Sequence, residues 1–115
     1  MRGTLLIYKP FAPKPEVQEI EGPPTLEALK AGIGGGFIEP VPHFKTIMYR
    51  GKLRRCIAFC DETGKVCHPP LEDNIEATIL WDKAMRAATG HGCHPDYLVG
   101  DIVVVMGDKE FMRAL

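Results

Sequence analysis

Residues 101–106 read DIVVVM and form the most strongly apolar run of the chain. β-Branched side chains such as Val and Ile pack well on the pleated surface of a sheet, so this run predicts a strand over Val99 to Met106. Near the start of the chain, TLLIY at Thr4 to Tyr8 predicts a second, buried strand that stops before the proline-rich stretch 10–15. These two strands require a sheet in the fold.

The stretch between these strands holds two helical patterns. NIEATILWDKAMRAA, residues 74–88, is the longer one, and TLEALKAGI, residues 25–33, is a short one that Thr25 can cap. KEFMRAL, residues 109–115, predicts a short terminal helix capped by Asp108. In the two longer helical patterns, apolar side chains recur at helical spacing and are expected to face the core. These residues are Leu26, Leu29, Ile33, Ile75, Ile79, Leu80, Trp81, Met85 and Ala88. We expect Leu26, Leu29, Ile79 and Trp81 to share one core with Val103 to Val105.

Several weaker patterns add strands to the sheet. Glu16 to Ile20 resembles an edge strand, and FIEPVPHF, residues 37–44, suits a strand bent by its two prolines. Further strands are expected at Thr46 to Tyr49, Lys52 to Phe59 and Lys65 to Cys67. DETGK, residues 61–65, carries hairpin-turn chemistry, with Gly64 available for a positive φ.

Together these elements predict one α+β domain over residues 1–115. Its sheet is small and mixed or antiparallel, and it is packed by one longer helix and one or two short ones. The composition is ordinary for a globular chain, with 45% hydrophobic and 25% charged residues.

Charge and hydropathy exclude several classes of protein. A formal net charge of −1 argues against a general polyanion binder, so nucleic acid is not the expected partner. Arg50, Lys52, Arg54 and Arg55 form a local basic run, which is most often a solvated strand edge. No apolar run approaches the roughly 20 residues that cross a bilayer, and the N-terminal apolar stretch is too short for a secretory signal. We therefore expect a soluble cytosolic protein with reduced cysteines.

Several short motifs resemble a family of short uncharacterised proteins from bacteriophages, mobile elements and gut bacteria. Its members carry a Leu-Glu-x-Leu-Gln segment followed by Gly-Gly-x-Ile-Glu, then an Asn-Glu-Glu-Gly turn, a Leu-Pro-x-Asn segment and Gly-Asp before a last strand. The matching positions here are Leu26, Glu27, Leu29, Gly34, Gly35, Ile38, Glu39, Asp61, Glu62, Gly64, Pro70, Asn74, Gly100 and Asp101. Lys30, Gly36 and Thr63 depart from the pattern, and the spacing before Asn74 is altered.

The resemblance implies a context but brings no catalytic residues. It implies an accessory protein of a phage or mobile element in the host cytoplasm. Such a protein would bind a host protein or a small ligand, in host modulation or in evasion of a host defence. An oligomer is left open.

The glycine-rich stretch GIGGG, residues 32–36, is not a phosphate loop. A Walker loop follows a strand and leads through Gly-Lys-Ser/Thr into a helix, whereas here a helix comes first and a strand follows. The pattern favours a helix C-cap and a close approach of the backbone to a neighbouring strand. Gly35, with Glu39 as a hydrogen-bond acceptor beside it, is the alternative place for a ligand.

Seven thiol and imidazole side chains form the soft-ligand set of the chain. Cys56 and Cys60 on one strand would lie ~13 Å apart, too far to hold one ion. Cys60 and Cys67 face each other if the Gly64 turn forms, and the loop GHGCHPDY, residues 90–97, then closes over them. The candidate zinc ligands are Cys60, Cys67, His68, His91, Cys93 and His94. Buried core cysteines are the alternative interpretation.

Catalysis has weaker support than binding. Cys67 and His68 are adjacent, so on a strand they point to opposite faces. Cys93 and His94 could meet Asp96 or Asp101, but no signature accompanies them. We therefore expect a non-catalytic protein that binds through His91, Cys93 and His94 of the loop or through Gly35 and Glu39. The alternatives are a zinc-stabilised regulator that contacts nucleic acid and a small hydrolase that uses the loop.

Overall fold

A computed structural model describes all residues 1–115 of the chain. It contains seven strands and three helices. In chain order these are β1 (Arg2–Tyr8), β2 (Glu16–Glu21), α1 (Leu26–Gly32), β3 (Ile38–Pro40), β4 (Thr46–Tyr49), β5 (Lys52–Arg55), β6 (Ile57–Asp61), α2 (Ile75–Thr89), β7 (Ile102–Gly107) and α3 (Lys109–Arg113). The predicted α+β class is confirmed.

β7, which contains the IVVVM run, lies at the centre of the main sheet. The strand order is β2-β1-β7-β6-β3, and every neighbouring pair is antiparallel. Five successive residues of β7, Ile102 to Met106, are 0% exposed. A strand that is apolar at every position needs cover on both faces of its sheet, and the helices provide it.

Each face of the sheet has its own core. Leu6, Ile102 and Val104 face α2, while Leu5, Val103 and Val105 face α1 and α3. The expected single core is therefore two cores on opposite faces of one sheet, because side chains alternate along a strand. Packing against α3 requires a glycine at position 3 of β1. A Cβ atom there would lie 2.1 Å from Cζ of Phe111, which is 0% exposed.

α2 covers one face with a narrower set of side chains than the sequence predicts. Its buried residues are Ala77, Trp81 and Ala84, so small alanines bring the helix close to the sheet. Leu80 and Met85 pack at the margin of that core. Ile79 is 45% exposed and Ile75 68% exposed, so their predicted inward positions were wrong.

α1 begins and ends where the sequence predicts. The Thr25 hydroxyl accepts a hydrogen bond from the backbone N–H of Ala28 at 3.1 Å, and Leu29 and Ile33 are buried. Leu26, however, is 56% exposed, so its predicted place in the core was wrong. It is the first residue of the helix, where the chain has not yet reached the sheet.

The predicted strand Lys52 to Phe59 divides at Cys56. β5 pairs with β4 in a separate two-stranded sheet, whereas β6 joins the main sheet. Cys56 is 3% exposed, and its N–H donates to the carbonyl of Lys45 at 2.8 Å. The two-stranded sheet of β4 and β5 is called the ribbon below.

No hairpin forms around DETGK, and Lys65 to Cys67 is not a strand. The Asp61 carboxylate accepts from the N–H and the hydroxyl of Thr63 at 2.9 and 2.8 Å, which turns the chain locally. Gly64 does not have a positive φ. It is buried, and a Cβ there would lie 2.8 Å from Cγ2 of Val99, so close packing accounts for the glycine.

None of the three helices combines the length and the apolar composition that a membrane-crossing helix needs.

Candidate functional site

A cavity of about 230 Å³ opens between the β3 edge of the main sheet and the chain that leads into β7. β3 and the end of β6 form one side, and Trp81 of α2 and residues 96–99 form the other. The lining residues are Glu39, Val41, Pro42, Cys60, Asp61, Glu62, Lys65, Trp81, Asp96, Tyr97, Leu98 and Val99. This cavity is called the β3 pocket.

A charged contact spans the mouth of the β3 pocket. The Lys65 ammonium pairs with the Asp96 carboxylate and lies 4.3 Å from the centroid of the Tyr97 ring. The N–H of Tyr97 also donates to Asp96 at 2.8 Å. The hydrogen bond from Lys65 is the main cause that lowers the pKa of Asp96. Lys65 therefore ties the segment after β6 to the loop after α2.

Glu39 and Cys60 meet in the lining of the β3 pocket. They are direct partners in the antiparallel register of β3 and β6, and the thiol donates to the Glu39 carboxylate at 3.8 Å. Burial, and after it the neighbouring Glu39 charge, raises the pKa of Cys60 to about 12. The thiol therefore stays protonated at neutral pH.

Trp81 forms a fixed wall of the β3 pocket. Its indole N–H donates to the carbonyl of Pro42 at 2.7 Å, and the side chain is 3% exposed. A buried tryptophan with its one donor satisfied has a single orientation. Because it is the one tryptophan of the chain, its fluorescence reports on this pocket and on the adjoining α2-side core.

The charges that line the β3 pocket are mostly negative. Glu39, Asp61, Glu62 and Asp96 contribute four carboxylates, and Lys65 is the one cation. Asp96 is already paired with Lys65, so three carboxylates remain without a cationic partner. The arrangement can accept a positively charged group between aromatic walls.

The predicted ligand-binding residues are divided between the β3 pocket and other places. Glu39 lines the pocket. Gly35 lies outside it, where its N–H donates to the carbonyl of Lys30 at 2.7 Å and its φ is +91°. That contact matches the predicted helix C-cap, since a left-handed residue often ends a helix in this way.

The loop after α2 contacts the rest of the protein through its cysteine. Cys93 is 8% exposed, and its N–H donates to the Asp82 carboxylate at 2.9 Å. His91 and His94 are exposed. The part of the loop that reaches the β3 pocket is therefore Asp96 and Tyr97 and not the predicted His91, Cys93 and His94.

The six candidate zinc ligands occupy separate places. The Cys67 thiol donates to the carbonyls of Gly64 and Pro69, both at 3.3 Å, and His68 is exposed. The structure brings no group of three or more His, Cys, Asp or Glu side chains into position to hold one ion. The zinc set stays a prediction, which metal analysis of the purified protein would test.

The thiols are also placed poorly for nucleophilic chemistry. Burial is the main cause that raises the pKa of Cys93, followed by the Asp82 charge. Asp96 pairs with Lys65, and Asp101 lies in a different cleft beside Lys9 and Glu16. A nucleophilic cysteine needs a base at hydrogen-bond distance and a lowered pKa.

Sequence reasoning missed Lys65 and Tyr97 as site residues. Both lie in irregular segments that are far apart in the sequence and meet only in the fold. One signal in the sequence could have indicated Tyr97. It follows a carboxylate, Asp96, in a loop that contains Gly and Pro, and functional side chains are frequent on such loops.

Comparison of the chain with protein-family models, with curated proteins and with solved structures gives no match.

Proposed function

We propose that the chain is a non-catalytic binding protein that receives a cationic side chain of a host protein in the β3 pocket. The observation that carries the proposal is a concave site with aromatic walls and three carboxylates that have no cationic partner. The resemblance to phage and mobile-element proteins supplies the context. The protein would act in the host cytoplasm, in host modulation or evasion of a host defence.

The size of the β3 pocket supports a protein partner over a small molecule. Small-molecule sites usually enclose about 300–1,000 Å³, and this cavity has about 230 Å³. A single inserted side chain needs less room. Pockets of this kind are where interfaces concentrate their binding energy.

The chemistry of the lining supports Arg or Lys as the inserted residue. Glu39 and Glu62 are exposed acidic residues at the opening, and Tyr97 is 44% exposed. Lys65 already lies over the Tyr97 ring, so this aromatic face accepts a cation within the chain itself. A guanidinium group would add bidentate hydrogen bonds to a carboxylate.

The state of the thiols supports binding over catalysis. Burial raises the pKa of Cys56, like that of Cys60, to about 12. A protonated thiol is a poor nucleophile at neutral pH.

Affinity capture from host lysate tests the proposal with matched variants. The pocket variant replaces Glu39 and Glu62 by Gln, and the control replaces Glu21 and Glu27, which are exposed and lie outside the pocket. Both variants lose two negative charges. We expect a host protein that binds the wild type and the control at equal levels and binds the pocket variant at least tenfold less.

Two results would contradict the proposal. One is a host protein that binds all three forms equally, and the other is the absence of any captured protein. Once a partner is identified, the fluorescence of Trp81 gives a second measurement, because a side chain inserted beside the indole changes its emission. An unchanged spectrum at saturation would place the contact elsewhere.

A further inference from the structure

A second cleft, on the side of the molecule that carries the ribbon, has the opposite charge. It encloses about 580 Å³ and is lined by Lys45, Arg55, Cys56, Ile57, Gly107, Lys109, Met112 and Arg113. Four of these eight residues are cationic and none is acidic. This site is called the basic cleft.

The cations of this region have no carboxylate partners. The segment Lys45 to Arg55 contains five cationic residues and no Asp or Glu. With Lys109 and Arg113, the region holds half of the 14 Lys and Arg residues of the chain. The side-chain ion pairs of the protein involve Arg2, Lys9, Lys65 and Arg86, all outside the region.

The acidic residues of α3 and its cap are held away from the basic cleft. The carboxylates of Asp108 and Glu110 lie 3.7 Å from the N-terminal ammonium. Asp108 also accepts hydrogen bonds from the N–H groups of Arg2 and Phe111 at 2.9 and 2.8 Å. Lys109 and Arg113 line the cleft, and neither forms an ion pair with a carboxylate.

The ribbon adds an exposed surface beside the basic cleft. Ile47, 3% exposed, packs one face of the ribbon into the α2-side core. On the other face, Met48 and Leu53 are cross-strand partners and are 61% and 64% exposed. Arg55, paired with Thr46, shares this outer face. The outer face thus carries an apolar pair with Arg55 beside it.

We propose that the ribbon and the basic cleft bind duplex DNA. A two-stranded antiparallel ribbon fits the major groove of B-form DNA, which is about 12 Å wide. Met48 and Leu53 meet apolar surface in the groove, such as thymine methyl groups. Lys45, Arg55, Lys109 and Arg113 neutralise phosphates at its edge.

The arrangement of the charges favours DNA over an acidic protein segment. The four cations that line the cleft lie on one concave surface beside Met48 and Leu53 of the outer face of the ribbon, whereas Lys52 and Arg54 lie on its inner face with Ile47. Phosphates flank the base edges of a DNA groove in the same way. A-form RNA has a major groove too narrow for a ribbon, so the duplex is DNA.

The test is fluorescence anisotropy with a fluorescein-labelled, mixed-sequence DNA duplex of about 20 base pairs. With four phosphate contacts, the logarithm of the association constant should fall with the logarithm of the salt concentration with a slope near −3.6. The affinity should therefore fall by about a hundredfold between about 50 and 200 mM NaCl. The cleft variant is Arg55→Gln with Arg113→Gln. The control, Lys14→Gln with Lys83→Gln, removes two exposed cations outside the cleft.

We expect the cleft variant to bind at least tenfold more weakly than wild type, and the control to remain within twofold. Met48→Ser with Leu53→Ser should weaken binding without changing the salt slope, because no charge is removed. Melting curves establish that each variant is folded. Absence of binding at the lower salt, or equal affinity of the cleft variant and the control, would overturn the proposal. Binding of polyglutamate of equal charge at least tenfold more tightly than the duplex would also overturn it, since that result identifies an acidic protein segment as the preferred ligand.

Discussion

Asn74 is 1% exposed and joins three parts of the chain through one side chain. Its amide NH2 donates to the carbonyls of Tyr8 and Gly100 at 2.9 and 2.8 Å, and its oxygen accepts from the N–H of Ala77 at 3.1 Å. It therefore caps α2, holds the end of β1 and fixes the turn before β7. A buried amide with every partner present stabilises and orients its surroundings.

Asn74→Ala should lower the free energy of unfolding by about 2–4 kcal/mol, since it removes the cap and leaves two buried carbonyls without their donor. Asn74→Asp should be at least as destabilising at neutral pH, because a carboxylate oxygen would face those carbonyls. Urea denaturation measures both. Thr25→Ala, which removes the exposed cap of α1, should cost about 1 kcal/mol. Equal losses for Asn74→Ala and Thr25→Ala would show that Asn74 acts only as a cap.

At the scale of the element, α1 shows how a short helix is fixed by one buried side chain. Leu29 is 6% exposed and packs with Ile33 against β7, whereas Leu26 lies in solvent. A helix of seven residues has little stability of its own in water, so this packing supports it.

Leu29→Ala should therefore destabilise the protein by about 2–5 kcal/mol, as buried Leu-to-Ala changes do. Leu26→Ala, one turn earlier in the same helix, should stay within about 0.5 kcal/mol of wild type. Thermal melts of the two variants check the difference. If Leu26→Ala proved the more damaging change, the face of α1 that meets the sheet would be misassigned.

Local patterns predicted most elements because their signals lie within a few residues of one another. The predicted cap residues Thr25 and Asp108 both accept hydrogen bonds from the N–H groups expected of a cap. The break at Cys56 could not be predicted, because β5 and β6 join two different sheets although they follow each other in one continuous strand-like segment. The exposure of Ile79 could not be predicted either, since alanines rather than the larger side chains form the buried face of α2.

At the scale of the whole molecule, the candidate site was only partly predictable. Glu39, one of the predicted ligand-binding residues, lines the β3 pocket, whereas Asp96 and Tyr97 rather than the histidines of the loop after α2 reach it. Lys65 and Asp96 are 31 residues apart, and nothing in either neighbourhood indicates their contact. The basic cleft could not be predicted for the same reason. In the fold, α3 places Lys109 and Arg113 beside the cationic segment Lys45 to Arg55, which lies more than 50 residues earlier in the chain.

Alkaline solution should destabilise the whole fold through its buried acids. Burial raises the pKa of Cys56 from 9.0 to about 12, so in the folded state the thiol keeps its proton where the unfolded chain has lost it. The pKa of the thiol is higher in the folded state than in the unfolded chain. Its contribution to the free energy of unfolding is therefore complete below about pH 9 and is lost as pH rises toward 12. Cys60 and Tyr8 shift in the same direction. For Cys56, the resulting decrease in the free energy of unfolding is at most about 4 kcal/mol.

Urea midpoints measured between about pH 7 and pH 11 test this pH dependence. At pH 7 the urea midpoint of Cys56→Ala should be lower than that of wild type, because a buried sulfur is removed. Above about pH 9 the midpoint of the variant should fall less steeply with pH than that of wild type. Parallel curves for the two proteins would show that Cys56 ionises as readily in the folded state as in the unfolded chain.

Both margins of the main sheet limit its growth into a fibril. The three glutamates of β2, Glu16, Glu19 and Glu21, would stand beside those of a second copy and repel them. On the far side, β3 has three residues and ends in Pro40, which offers no N–H to an incoming strand. Unpaired margins of this kind are where native sheets otherwise template misfolded copies of themselves. The chain can therefore expose polar and apolar binding surfaces in concentrated solution while the margins of its main sheet resist strand exchange.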